Sequence, residues 1–398
     1  MAIRSGLEVL CAERLSLLRG RRVGLLCHPA SVATDLTHIL DRLIAHGITP
    51  LRLFGPEHGI RGEAKDMVGV GGGRDPRSGL PEVSLYGDSF DSLIPSPDTL
   101  ADLDVLLVDL QDVGSRYYTF IWTMALAMEA AAKAGVAVLV LDRPNPLGGR
   151  AVEGGDVHIE SFVGLGCVPV RHGLTLGEMA SLVKAGMPWG SKRFAGALDV
   201  ELQVVAMQGW HRDMAFEHTE LPWVLPSPNM PTVDTAWVYP GMCLIEGTNV
   251  SEGRGCTRPF EIIGAPFIDS YALAGALTAD GLPGVRFRPL SFRPTFHKHA
   301  NKLCGGVQLH VTDRESFRPY TTGVAVLRQL RRLCGQDFAW RTERYEFVDT
   351  HPAIDLLTGN ALVRQGIDAG ASLAELVGTW AQAEAAFIDR RAPHLLYP

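Results

Sequence analysis

Four short apolar runs constrain this chain more than any other feature. They are Arg22–Cys27 (RVGLLC), Thr49–Phe54 (TPLRLF), Asp104–Leu110 (DVLLVDL) and Val136–Leu141 (VAVLVL). A strand that is apolar on both faces belongs inside a parallel sheet covered by helices. Between the first two runs, Leu36–His46 has helical spacing and stops at Gly47. Between the last two, Tyr118–Ala134 is rich in Ala and Met and stops at Gly135, where a left-handed glycine commonly ends a helix. The rhythm predicts βαβ units, and so an α/β fold with a Rossmann-like parallel-sheet N-terminal domain.

Each run is followed by a dense polar motif. After the first comes HPASV (His28–Val32), and after the second GPEHGIRG (Gly55–Gly62). After the third comes QDVGSRYY (Gln111–Tyr118), and after the fourth DRPNPLGG (Asp142–Gly149). Parallel strands place their carboxyl ends on one rim, and ligands of open α/β sheets bind there. Glu57 is therefore expected to face a cleft shared with Asp112, Arg116, Arg143 and Asn145. His58 and Arg61 lie in the same turn, and Glu63 just beyond it.

Gly62–Leu103 is long and rich in Gly, Pro, Asp and Ser, and reads as an excursion over the cleft that carries Tyr86. Leu176–Ala185 has helical character. LPWVLPSPNMPT, from Leu221 to Thr232, holds four prolines and reads as a seam. This divides the chain into a catalytic domain, residues 1–230, and a C-terminal mixed α/β auxiliary domain, residues 231–398. Pro319–Cys334 and Ser372–Arg390 are expected to be helical in the latter.

Composition removes several classes. A net charge of −7 over 398 residues offers no broad cationic surface for nucleic acid. No apolar run approaches the roughly 20 residues of a membrane span. Seven cysteines, with no C-x-x-C pair, argue against a disulfide framework or zinc knuckle. The apolar residues of the first 22 positions are interrupted by Glu8, Glu13 and Arg14, unlike a secretory signal. A cytoplasmic location is expected. VGVGGGR (Val68–Arg74) lacks the G-x-G-x-x-G spacing, and neither a P-loop nor a G-x-S-x-G elbow occurs. Cys27 and Cys167 sit in apolar surroundings, as inert thiols do. No cofactor is expected. His28 and His58 have no helical H-x-x-x-H spacing, so no metal site is expected either.

Carboxylates make the stronger case. Glu57, Asp109, Asp112, Glu153 and Glu246 all fall in or beside loops stiffened by Gly and Pro. Each alone reads as a cap or turn residue. Together on one rim they suit glycoside hydrolysis, which needs an acid for the leaving oxygen and a second group for the oxocarbenium-like side. A second motif, EGTNVSEGRGCTRPFE (Glu246–Glu261), adds Asn249, Ser251, Arg254 and Thr257 as groups for hydroxyls and an anion. Trp223, Trp237 and Tyr239 are candidates to stack on a sugar face, or members of the core.

Taken together, FGPEHGIRG, QDVGSRYYT, LDRPNPLGG, PSPNMPT, EGTNVSEGRGCTRPFEIIGAP and the YEF at Tyr345–Phe347 resemble the exo-β-N-acetylmuramidase family. The resemblance runs in order from about Val23 to the C-terminus. It implies release of N-acetylmuramic acid from the non-reducing end of peptidoglycan fragments, with a small muropeptide or amino sugar as substrate. It also implies that Glu57 is the catalytic glutamate. Asp112 and Glu246 are the candidates for the second carboxylate. His58, Arg143, Asn145, Asn229 and Asn249 are expected to position the sugar. Arg61, Arg116, Arg143 and Arg254 are the candidates to bind the lactyl carboxylate, since a guanidinium matches a carboxylate bidentately. Retaining, inverting and substrate-assisted routes stay open. The rivals are a non-catalytic muropeptide-binding protein and a metal-dependent amide hydrolase using His28 and His58.

Overall fold

The computed structural model describes residues 3–62 and 73–398. Glu63 and the glycine-rich stretch 68–72 lie outside the described residues. A seven-stranded sheet organises the first half, in the order β3-β4-β2-β1-β5-β6-β7. Its strands are β1 (Val23–Cys27), β2 (Arg52–Gly55), β3 (Gly73–Arg74), β4 (Pro81–Ser84), β5 (Val105–Asp109), β6 (Ala137–Leu141) and β7 (Leu202–Val205). All neighbours are parallel except β3 and β4. Every residue of β1, β5 and β6 is buried, as their unbroken apolar runs require.

The four expected strands are therefore β1, β2, β5 and β6. Three more were not expected. β4 and β7 are half-exposed, so neither carries a continuous apolar run. β3 and β4 lie within the link expected to be irregular, and extend the sheet beyond β2.

From β1 the chain steps to β2 on one side and to β5 on the other, which puts a topological switch point at the centre of the rim. The β5–β6 connection is the helix Phe120–Ala134, closed by Gly135 at φ 67°. Buried along most of its length, it packs under the helix Leu176–Ala185.

The second half is built on a three-stranded antiparallel sheet, β8 (Ile262–Ala265), β10 (Cys304–Val311) and β9 (Val285–Phe292) in that order. The helices Val233–Met242 and Pro319–Cys334 cross at Gly241 and Gly323, where a Cβ on either residue would collide with the other backbone. Two buried ionic groups join the halves. The Arg116 guanidinium donates to the carbonyls of Gly155, Val168 and Leu357 at 3.3, 3.0 and 2.5 Å. Glu153 pairs with Arg171 at 3.2 Å and accepts the Tyr320 amide at 3.0 Å, capping the N-terminus of Pro319–Cys334.

Candidate active site

Glu57 sits just past β2, in a tight turn closed by the Gly59 amide donating to the Pro56 carbonyl at 2.9 Å. His58, at the bend, has φ 72°. A non-glycine residue there is strained, and such strain concentrates at functional sites. Glu57 is only 6% exposed. The Thr119 hydroxyl, at the entrance to the helix Phe120–Ala134, donates to its Oε2 at 2.8 Å.

Glu57 and His58 form one side of a narrow cavity, with an empty volume of about 530 Å³ including its open mouth. Tyr117–Phe120 and Val163 continue that wall, and Ser227, Asn229 and Met230 contribute from the proline-rich seam. The second half contributes Tyr239, Glu246, Arg254, Phe260, Tyr345 and Glu346. Among the described residues, the second half supplies two of the three carboxylates that line the cavity.

Glu246 is fixed at both oxygens. Arg254 Nη2 donates to Oε1 at 2.6 Å, and the Tyr345 phenol donates to Oε2 at 2.7 Å. Burial, with Glu246 beside it, pushes the Tyr345 hydroxyl well above the usual phenol range, so it remains a donor. Burial does the same to Tyr118 and Tyr239. Glu346 has φ 44° and Phe347 φ 69°, a second strained turn facing the first. The Tyr86 hydroxyl reaches Glu346 Oε2 at 3.5 Å from the excursion after β2.

Of the residues expected at the site, the cavity brings together Glu57, His58, Asn229, Glu246 and Arg254. The others do not line it. The Asp112 carboxylate accepts the Gly114 amide at 2.6 Å and stands 3.7 Å from His172 Nε2, which makes it a turn residue behind the wall. Arg116 is fully buried and directed at carbonyls. Arg143 is held bidentately by Asp109, at 2.5 and 2.8 Å, the last residue of the neighbouring strand. The Asn145 side chain donates to the Leu174 carbonyl and accepts the Leu147 amide, both at 2.9 Å. Arg61 pairs with Asp75 in a separate surface groove. The Asn249 side chain secures the 337–339 backbone. Of the three aromatics, only Tyr239 reaches the cavity.

His28 is buried, with Nε2 accepting the Gln111 amide at 2.9 Å and Nδ1 3.4 Å from the Pro226 carbonyl. Burial lowers its pKa well below the usual histidine range, so it is a neutral scaffold histidine. Among the described residues no cluster of three or more His, Cys, Asp or Glu could hold a metal ion. No helix among them is long and apolar enough to cross a membrane.

Sequence reasoning missed Thr119, Tyr118 and Glu346 as cavity residues. The YEF triplet was the available signal for Glu346, but its left-handed backbone leaves no mark in the sequence.

A carboxyl group and a fixed carboxylate lining one cavity with several aromatic side chains, at the rim of a parallel sheet, are the groups that a site cleaving glycosides needs. The comparisons agree. The family described as exo-beta-N-acetylmuramidase NamZ matches over residues 23–234 with its N-terminal part and 237–397 with its C-terminal part. The peptidoglycan beta-N-acetylmuramidase NamZ of Bacillus subtilis (strain 168) is 45% identical, across 99% of this chain and 91% of that protein. Two crystal structures of proteins of a domain-of-unknown-function family from Bacteroides fragilis NCTC 9343 superpose over the whole chain. They have TM-scores of 0.88 and 0.77, identities of 32% and 28%, and 99% coverage of their own chains. The chain belongs to the exo-beta-N-acetylmuramidase NamZ family.

Proposed function

We propose that this chain removes a terminal β-N-acetylmuramic acid residue from peptidoglycan fragments in the cavity just described, with Glu57 as the general acid. The observation that carries the reading is that Glu57, buried in a strained turn, lines the same cavity as Glu246, a carboxylate whose two oxygens are already engaged.

The leaving glycosidic oxygen needs a proton as its bond to the anomeric carbon lengthens. Glu57 is the cavity carboxyl group on the sheet side, oriented by Thr119. Glu246, held by Arg254 and Tyr345, is placed to stabilise positive charge developing on the ring. Two strong hydrogen bonds make it a poor nucleophile. That favours attack by the oxygen of the substrate's own N-acetyl group, as in substrate-assisted glycosidases. Of the four arginines proposed for the lactyl carboxylate, Arg254 is the one in the cavity wall. Tyr239 and Phe260 offer ring faces to the sugar.

Hydrolysis of a chromogenic β-N-acetylmuramide, run beside the matching β-N-acetylglucosaminide and with Glu57→Gln in parallel, tests this. Turnover of the muramide, abolished by the substitution in a folded protein, is expected. Binding of the muramide with no turnover by the wild type would instead make the chain a muropeptide-binding protein. The seven cysteines are all free thiols, which supports the cytoplasm as the site of action. Recovery of the native protein from the extracytoplasmic fraction would overturn that placement.

A further inference from the structure

One step removed from the cavity lies a cluster of charge that the reaction as derived does not use. Glu252 is fully buried. Lys298 Nζ donates to its Oε2 at 2.9 Å. His297 Nδ1 stands 3.0 Å, and Arg254 Nε 3.3 Å, from Oε1. Arg254 thus joins Glu246, in the cavity wall, to a carboxylate behind it.

Lys298 does more than pair with Glu252. It also donates to the carbonyls of Ile245 and Val250 at 3.0 and 3.1 Å, on either side of the turn that follows Glu246. The segment that delivers it, HKHAN from His297 to Asn301, is left-handed at His297, His299 and Asn301, with φ of 67°, 56° and 63°. Three such non-glycine residues in five persist only where the surroundings over-determine them. His299 Nε2 lies 2.7 Å from the Asn249 carbonyl oxygen, fastening the segment again to the same loop.

We propose that Glu252, held by Lys298 and His297, is the positioning residue that presents Arg254 to the lactyl carboxylate of the substrate, so that the HKH segment determines specificity for the acid sugar. This rests on the reading of the cavity given above. Arg254 with Glu246 and Glu252 alone is a net negative set, which would repel an incoming carboxylate. Lys298 offsets the charge of Glu252, so that the carboxylate behind the cavity wall competes less for Arg254. Burial alone would raise the Glu252 carboxyl, but Lys298, His297 and Arg254 more than reverse this and hold it well below the usual carboxylate range. Without Lys298, Glu252 either takes up a proton or draws Arg254 back from the cavity wall.

The test compares binding of free N-acetylmuramic acid with binding of its lactyl carboxamide, which has the same shape and no charge. Calorimetry would be run on the wild type, Lys298→Met, Lys298→Arg and His297→Gln, alongside hydrolysis of the chromogenic muramide. The wild type is expected to prefer the acid by about tenfold, the size of one charge-assisted hydrogen bond. Lys298→Met should bring that ratio to within about twofold while leaving carboxamide affinity unchanged, and Lys298→Arg should restore it. His297→Gln should lower it by about threefold, and decides the matter if Lys298→Met does not fold. A folded Lys298→Met, or in its place His297→Gln, that keeps the full wild-type ratio overturns the proposal. So does a wild type that hydrolyses the muramide yet binds acid and carboxamide alike. A wild type that neither binds nor hydrolyses a muramide defeats the functional reading itself, and the positioning role with it.

Discussion

The loop after β2 and the loop after β6 leave the same edge of one sheet and carry the same kinds of residue, yet only the first opens on the cavity. Arg143, two residues beyond β6, finds Asp109 at the end of the adjacent strand and is held there at both oxygens. Asn145 closes its own turn. Glu57, two residues beyond β2, accepts the Thr119 hydroxyl at Oε2, lines the cavity and is followed by the left-handed His58. On this rim a side chain pinned by the counter-charge at the end of the neighbouring strand is scaffold, whereas one that lines the cavity is open to chemistry.

The contrast can be broken in four ways. The largest effect is expected at Glu57. Glu57→Gln should lower kcat by about 10²–10⁴-fold with the unfolding transition unchanged, and near-normal turnover would make Glu57 scaffold like the rest. Arg143→Met should do the opposite. It strands Asp109 in the core, at a cost of about 3–5 kcal/mol in denaturant unfolding, while kcat per folded molecule stays within about twofold. Thr119→Val sharpens the comparison from the side of Glu57. Losing one hydrogen bond of about 1 kcal/mol should reduce kcat about fivefold, and a variant as active as wild type would remove Thr119 from the mechanism.

The last concerns pH. Asp142 is buried at the end of β6, accepting from Tyr397, Thr175 and Gly177. Burial pushes its pKa from 3.8 up to about 6, against the lowering by those hydrogen bonds. The folded state therefore binds this proton more tightly than the unfolded one. The associated stability is fully present below 3.8 and lost as pH rises through about 6. Unfolding free energies measured across that interval should fall less steeply with pH in Asp142→Asn than in wild type. Parallel slopes would show that Asp142 does not titrate there.

Much of the framework was legible in the sequence because it follows from local periodicity. β1, β5 and β6 are unbroken apolar runs, and Leu176–Ala185 and Pro319–Cys334 have the bounds that their spacing predicts. β4 and β7 were not legible, because a strand with exposed positions has no such run. At the site, Glu57 stood out through its glycine and proline neighbours. Arg116, Arg143 and Arg254 could not be told apart, since each is an arginine in a glycine-containing loop. What separates them is the partner each finds: Leu357, far along the chain, for Arg116, Asp109 on the neighbouring strand for Arg143, and Glu246 and Glu252, close in sequence, for Arg254. Lys298 was invisible for the same reason, 46 residues from Glu252.

Arg116 carries a consequence for how such proteins can be rearranged. Its buried guanidinium is satisfied by two carbonyls from the first half and a third, that of Leu357, from near the far end. A gene fragment ending at the seam would encode a sheet with an interior cation short of one acceptor and a Glu57 without the cavity residues of the second half. The halves are thus poor currency for recombination: neither can be borrowed by another protein as a ready-made sugar-cleaving module, and the pair is expected to be inherited as one unit.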